Sequence, residues 1–251
     1  IAQIGGTIGS IAARVFRLPL KRTQVLVGCG VAGAISATFN APIAGVLFAE
    51  EIVFLGELKL NTFSLFVISS ATASALTHQV FGHDSIFHVP AYTISSPFEL
   101  PLYGLLGIAV GLTAALYKKS YYAVRAWFIN LRLHSQLKPV VGALLVGVTG
   151  LLIRDVMGDG YEVIHALIND RYVQSGLLFL TVLIILKISA TSITLGSGGA
   201  GGLFAPSLFI GAALGALCGT AFDALFPQLG IRPGAFAVVG MGALLDRKST
   251  R

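Results

Sequence analysis

Charge is what this sequence has least of. Asp, Glu, Lys and Arg make up 11% of its 251 residues, less than half of the roughly 25% usual in soluble domains. A chain so poor in charge, 55% hydrophobic and with a mean hydropathy of +0.84, cannot cover a water-facing surface and reads as an integral membrane protein. Cysteine is nearly missing too. Cys29 and Cys218 each sit in a glycine-rich apolar stretch, where a free buried thiol is the ordinary state; no bridge is expected and no redox compartment follows. Ten-residue stretches of alternating polarity are absent, which argues against an outer-membrane barrel. The apolar residues run instead in stretches of about 15 to 25 punctuated by Gly, Pro or charge clusters, the pattern of several membrane helices. A start methionine, a basic n-region and a cleavage signal are also lacking, so the sequence is expected to begin inside an element.

The few charges are unevenly placed. Lys118, Lys119, Arg125, Arg132 and Lys138 crowd one segment, whereas Gly82 to Glu99 holds no Lys or Arg. The positive-inside rule makes the first cytoplasmic and the second external. Apolar helices flank the basic cluster on both sides, so a nucleic-acid partner is not expected.

Glycine is what the chain has in quantity, and its densest stretch runs from Gly196 to Gly215, GSGGAGGLFAPSLFIGAALG, with five glycines in seven residues before an apolar helix. Pro206 marks the helix start, because first-turn N–H groups have no intrahelical partner to lose. Without Cβ atoms in the incoming backbone, the N–H groups near Gly202, Leu203 and Phe204 can close around something small and negatively charged. Inside a bilayer such a helix start is an anion site. Removing an ion from water costs on the order of tens of kcal/mol before compensation, and one helix end returns only about 0.3 to 2 kcal/mol. Several convergent donors are therefore needed. A full positive charge in contact would hold the ion too tightly to release it.

In chain order, Gly5, Gly6 and Gly9 lie on the first helix, and Arg17, Pro19, Lys21 and Arg22 make a loop. A second helix runs from about Thr23 to Phe39. Asn40 is expected as the N-cap and Pro42 near the first turn of a third, Ile43 to Phe54, which carries Glu50 and Glu51. Asn61 to Val80 reads as a full span. Further helices are expected at about Pro101 to Leu133, at 138–157, from Tyr161 to Ile168, at 174–195, from Leu203 to Phe226 and from Pro233 to Leu245. The chain also repeats itself. A shift of 206 sets Ile4 on Ile210, Gly5 on Gly211, Gly9 on Gly215 and Phe16 on Phe222, and an offset of 212 then sets Gly28-Cys29-Gly30 on Gly240-Met241-Gly242. Such internal symmetry with Gly/Pro-interrupted helices is the mark of repeat-built transporters. Residues 1–81 are read as the end of one membrane repeat and 100–245 as most of a second. Residues 246–251, a charged hexapeptide where the repeat calls for a partner of Asn40 to Glu51, are expected to be foreign or out of frame.

Competing motifs carry less. Gly196 to Gly201 spells G-x-G-x-x-G but lacks a βαβ setting, and Ser197 does not sit in a nucleophile elbow. His83 and His88 have no third ligand nearby to complete a metal shell. Lys187, inside an apolar helix, has three open readings: it faces an ion vestibule, pairs with a carboxylate, or snorkels.

Gly201-Gly202-Leu203-Phe204-Ala205-Pro206 resembles the Gly-x-Phe-x-Pro signature of the CLC family of chloride channels and chloride/proton antiporters. Phe39-Asn40-Ala41-Pro42-Ile43-Ala44-Gly45-Val46-Leu47-Phe48 and Gly240-Met241-Gly242-Ala243 resemble other helices of that family in order and spacing, over about residues 1 to 245. The resemblance implies an all-α, polytopic, inverted-repeat membrane fold. It implies a chloride at the midplane bound by backbone N–H groups of Leu203 and Phe204, with those of Phe204 and Ala205 facing an outer site. Gly202 belongs to the same donor set, and Gly201 and Pro206 shape it. The family's gating glutamate would precede Ile1, and its pore serine and tyrosine also fall outside the chain. Counting from Phe48 without a gap puts Glu51 on a structural carboxylate and Ile52 where many antiporters carry a proton-transfer glutamate and channels an apolar residue; a slip of one would give that role to Glu50. Glu50, Glu51 and Ile52 are thus the candidate proton pathway, against the plain reading of helix-end carboxylates. The implied partners are chloride and, for an antiporter, protons, the lipid bilayer, and a second copy meeting through Asn40 to Phe54 and Asn61 to Val80. The implied place is a bacterial inner membrane. No catalytic residue, cofactor or metal is implied. Fluoride or nitrate transport, or a non-transporting membrane fragment, stands as the alternative.

Overall fold

The computed structural model describes residues 1–54, 60–82, 86–87, 89–92, 97–172 and 175–245. His83, His88 and the hexapeptide 246–251 lie outside them. All regular structure among the described residues is helical, in two units, Ile1–His88 and Val89–Arg251. Unit 1 contains α1 (Ala2–Val15), α2 (Leu20–Phe39), α3 (Pro42–Phe54) and α4 (Leu60–Phe81). Unit 2 contains α5 (Glu99–Asn130), α6 (Leu137–Leu152), a 3-10 turn Arg154–Val156, α7 (Tyr161–Ile168), α8 (Gly176–Gly196), α9 (Phe204–Leu225), a second 3-10 turn Pro227–Leu229 and α10 (Pro233–Leu245).

Among the described residues, α5, α8 and α9 are long and apolar enough to cross a membrane, and α6 and α10 are shorter apolar helices. The 22 residues of α4 give it a comparable length, but it is rich in serine and threonine. Those hydroxyls are used internally. Ser69 Oγ donates to the Cys29 carbonyl at 2.7 Å and Ser70 Oγ to that of Pro42 at 2.6 Å, while Ser36 Oγ of α2 donates to the Ser70 carbonyl at 2.8 Å. Bonded in this way, α4 can lie against α2 without leaving polar groups in an apolar medium. Val31, Ala32, Val46, Ala49 and Phe66 make the core between α2, α3 and α4.

Asn40 does not cap α3. It sits one residue earlier, as the left-handed C-cap of α2 (φ 51°, ψ 40°), a conformation asparagine tolerates better than most. The first helical bond of α3 runs from Gly45 N–H to the Ala41 carbonyl. The Asn40 side chain is drawn to α4, where its Oδ1 accepts from Ser74 Oγ and pairs with His78 Nε2. α6 also stops earlier than expected. Ile153 turns extended and the chain makes its 3-10 turn, because Arg154-Asp155 interrupts the apolar run and Gly158 and Gly160 follow with positive φ.

The repeat is visible in how two helix pairs meet. A Cβ on Gly5 or Gly30 would strike the other's carbonyl across the α1–α2 seam, and one on Gly9 would strike that of Leu26. Gly211 and Gly240 oppose each other in the same way across α9–α10, and Gly215 opposes Phe236. Close backbone approach through small residues is how helices associate where lipid removes the hydrophobic drive. These pairs equate Gly30 with Gly240 and Leu26 with Phe236, an offset of 210. The offset of 212 read from the letters is thereby corrected: Gly-x-Gly offers two frames, and backbone contact selects one.

In unit 2, α5 and α8 run parallel, since Ser120 meets Ser192 and, further along both, Arg125 meets Gly196. α9 packs against α7, α8 and α10, and most of its residues from Leu208 to Gly219 are buried.

Candidate anion site

The glycine stretch divides its work. α8 closes in a Schellman motif, with Gly199 N–H donating to the Thr194 carbonyl and Gly198 N–H to that of Leu195. Gly198 sits at φ +91°, a backbone few side chains allow. Ser197, buried, donates its hydroxyl to the Thr194 carbonyl and packs against Gly142 of α6. That is a capping role. The chain then turns into α9 with Leu203 as N-cap, and Ser207 N–H makes the first bond, to the Leu203 carbonyl at 3.0 Å.

What precedes Ser207 is a set of unused donors. Among the described residues, the N–H groups of Gly202, Leu203 and Ala205 donate to no protein acceptor. Gly201, Gly202 and Leu203 are exposed, Phe204, Ala205 and Pro206 half-exposed, and α9 has no acid in its first turn. A Cβ on Gly202 would meet nothing within 4 Å, whereas one on Gly201 would approach Leu195 Cδ2 at 3.2 Å. The open side of Gly202 is where a ligand can reach the backbone. N–H groups without protein acceptors at the positive end of a 22-residue helix are donors that a small anion can use.

On α3, successive residues point about 100° apart, and the two carboxylates separate accordingly. Glu50 is 2% exposed and Glu51 is exposed. Ile52 follows on the same helix, its side chain outside the described part. Lys187 does not snorkel, since it is 2% exposed; its ammonium donates to two backbone carbonyls and the charge of Asp159 acts on it as well.

At the far end of unit 2, Tyr92 donates its hydroxyl to the Ile168 carbonyl, and Asp170 Oδ1 accepts from Gly234 N–H at 2.6 Å. Burial, and then the charge of Asp170, push the Tyr92 hydroxyl above its ordinary range, with Arg232 opposing them. Nearby, Tyr172 donates to Asp155 Oδ2 at 2.7 Å; burial and that bond push its hydroxyl up as well. Asp170, left-handed at φ 60°, was missed in the sequence. An Asp two residues past a short helix was the only signal.

The family model described as voltage gated chloride channel matches residues 1–246. A chloride channel protein described as ClcB-like, from Ralstonia nicotianae, is 36% identical over 98% of this chain and 57% of its own length. The H(+)/Cl(-) exchange transporter ClcA of Vibrio parahaemolyticus is 32% identical over 96% of this chain and 52% of its own length. The crystal structure of a slow cyanobacterial Cl-/H+ antiporter superposes with a TM-score of 0.84 at 24% identity, covering 97% of this chain and 57% of that one. A CLC-type fluoride/proton antiporter gives 0.78 at 22% identity, over 99% and 60%. The chain thus spans a little over half the length of the proteins it matches, and its all-helical membrane fold is theirs.

Proposed function

The chain belongs to the voltage-gated chloride channel family, and from that premise we propose that the whole protein carries chloride across a membrane, with the start of α9 as part of its ion site. The observation that supports this most is the set of Gly202, Leu203 and Ala205 donors, without protein acceptors, on the open side of a helix start. Phe204 belongs to the same turn, and Gly201 and Pro206 shape the approach. Backbone donors bind an anion firmly enough to strip its water yet weakly enough to let it leave. Transport, not catalysis, is what such a site performs.

The buried Glu50 is the better placed of the two α3 carboxylates to relay protons, and Glu51 faces outward. Proton-coupled exchange, for which the ClcA relatives are named, is therefore the form of transport proposed. The relatives come from bacteria, so the inner membrane is the proposed location, and a homodimer through α3 and α4 the proposed assembly.

The test is chloride flux from proteoliposomes holding the full-length protein, with fluoride and nitrate run alongside. Gly202→Val fills space that no protein atom occupies, so it should lower chloride flux about tenfold or more while the protein stays folded. Pro206→Ala should be milder, because its ring replaces a donor the first turn does not use. Equal loss in both, or no flux of any of the three anions from wild type, would overturn the proposal.

A further inference from the structure

Lys187 is 2% exposed near the middle of α8. At about 1.5 Å per residue it lies roughly 14 Å from the nearer helix end, farther than its side chain can stretch toward water. An ammonium held there needs acceptors around it. Its Nζ donates to the Val156 carbonyl at 2.8 Å and the Gly158 carbonyl at 3.0 Å, and lies 4.5 Å from the centroid of the Phe209 ring. Those carbonyls belong to the last residue of the 3-10 turn and the irregular backbone after it, which at membrane depth needs donors of its own. Phe209, fully buried in the second turn of α9, is held from another side by Gly160, the N-cap of α7, where a Cβ would strike its ring. One cation thus ties together α8, the segment 156–158 and α9.

We infer that Lys187 is a positioning residue for the anion site, fixing the first turns of α9 against α8 and setting a positive charge beside Phe209, which follows the last of the Gly202 to Ala205 donors by about one helical turn. The inference rests on the reading of that helix start as the ion site. A cation at this remove raises the potential at the site in a medium of low dielectric. It does not touch the ion, so it does not trap it.

The experiment is chloride titration by calorimetry on the full-length protein, with thermal melting of the same samples, for wild type, Lys187→Arg, Lys187→Gln, Lys187→Met, Phe209→Leu and Gly202→Val. Lys187→Arg, which keeps charge and donors, should hold the chloride Kd within about threefold, and Lys187→Gln and Lys187→Met should raise it about tenfold or more. Phe209→Leu, which removes the ring but keeps the charge, should fall between them. Should Lys187→Met not fold, Lys187→Gln carries the comparison, since its amide can still donate to the carbonyls. A chloride Kd unchanged in Lys187→Gln, with only the melting temperature lowered, would overturn the inference, as would failure of Lys187→Arg to preserve affinity. The two readings separate cleanly. Wild type that binds no chloride sinks the ion site itself, whereas wild type that binds and weakens with Gly202→Val but not with Lys187→Gln sinks only the role of Lys187.

Discussion

In α1–α2 and in α9–α10 two helices touch backbone to backbone through glycines at matching positions, yet the outer faces of the two pairs have opposite fates. Ile4 is 65% exposed where the matching Ile210 is fully buried, and Ile8 is 62% exposed where Leu214 is 8% exposed. The seam is built by the pair itself. Burial of the remaining faces is decided by neighbours: α9 is enclosed by α7, α8 and α10, whereas α1 packs chiefly on α2. A repeated contact motif therefore does not carry a repeated environment with it, and the same substitution should cost different amounts in the two halves.

The largest effect expected is at the seams. Gly215→Val forces a side chain into the backbone of Phe236 and Ala237 while α9 is pinned from its other sides, so no monodisperse protein should survive size exclusion in mild detergent. Gly9→Val meets the backbone of Leu26 and Val27 in the same way, but among the described residues α1 packs chiefly on α2 and can draw back from it. Its cost should be nearer the ordinary overpacking range of about 1 to 3 kcal/mol, seen as a lowered melting temperature of a folded protein. Equal damage at both positions would break the comparison.

A smaller, functional contrast lies on α3. Glu50→Gln should reduce proton movement per chloride in paired flux measurements, and Glu51→Gln should leave the ratio unchanged, because only Glu50 is shielded from bulk water. The opposite ranking would move the proton route to Glu51.

Most of the helices were legible in the sequence, because a bilayer demands long apolar runs and Gly, Pro and charge end them. Tyr161–Ile168 and Pro233–Leu245 were expected within those bounds. The candidate ion site stood out in the sequence for a related reason, since Gly-rich backbone before a proline-bearing helix has few uses in an apolar medium. What stayed hidden depends on pairing across space. The letters offered two frames for Gly28-Cys29-Gly30, and only the opposition of Gly30 to Gly5 selects one. Asn40 looked like a cap for the helix after it, but Ser74 and His78, more than thirty residues away, claim its side chain. Lys187 could not be assigned from spacing, because its partners are backbone carbonyls that no residue type announces.

The smallest effect sharpens the comparison at the start of the second helix of each pair. α2 begins on local bonds, with Arg22 and Thr23 N–H groups donating to the Pro19 carbonyl. α10 adds distant bonds to its local one from Ala235 N–H to the Arg232 carbonyl, with Asp170 holding Gly234 N–H and the Tyr92 hydroxyl closing on the Ile168 carbonyl beside it. Because the folded protein holds the Tyr92 hydroxyl above its ordinary value of 10.0, it favours the neutral form. That contribution to stability is complete below pH 10 and is lost as pH climbs through the raised value. Melting temperature followed from pH 8 upward should therefore fall more steeply in wild type than in Tyr92→Phe above about pH 10, the remaining slope including Tyr172, whose hydroxyl is raised by burial and by Asp155. Thr23→Val, at the matching start of α2, should leave the alkaline slope as it is. If Tyr92→Phe leaves it unchanged too, the tie at α10 contributes no more than the local bonds at α2, and the two helix starts are equivalent after all.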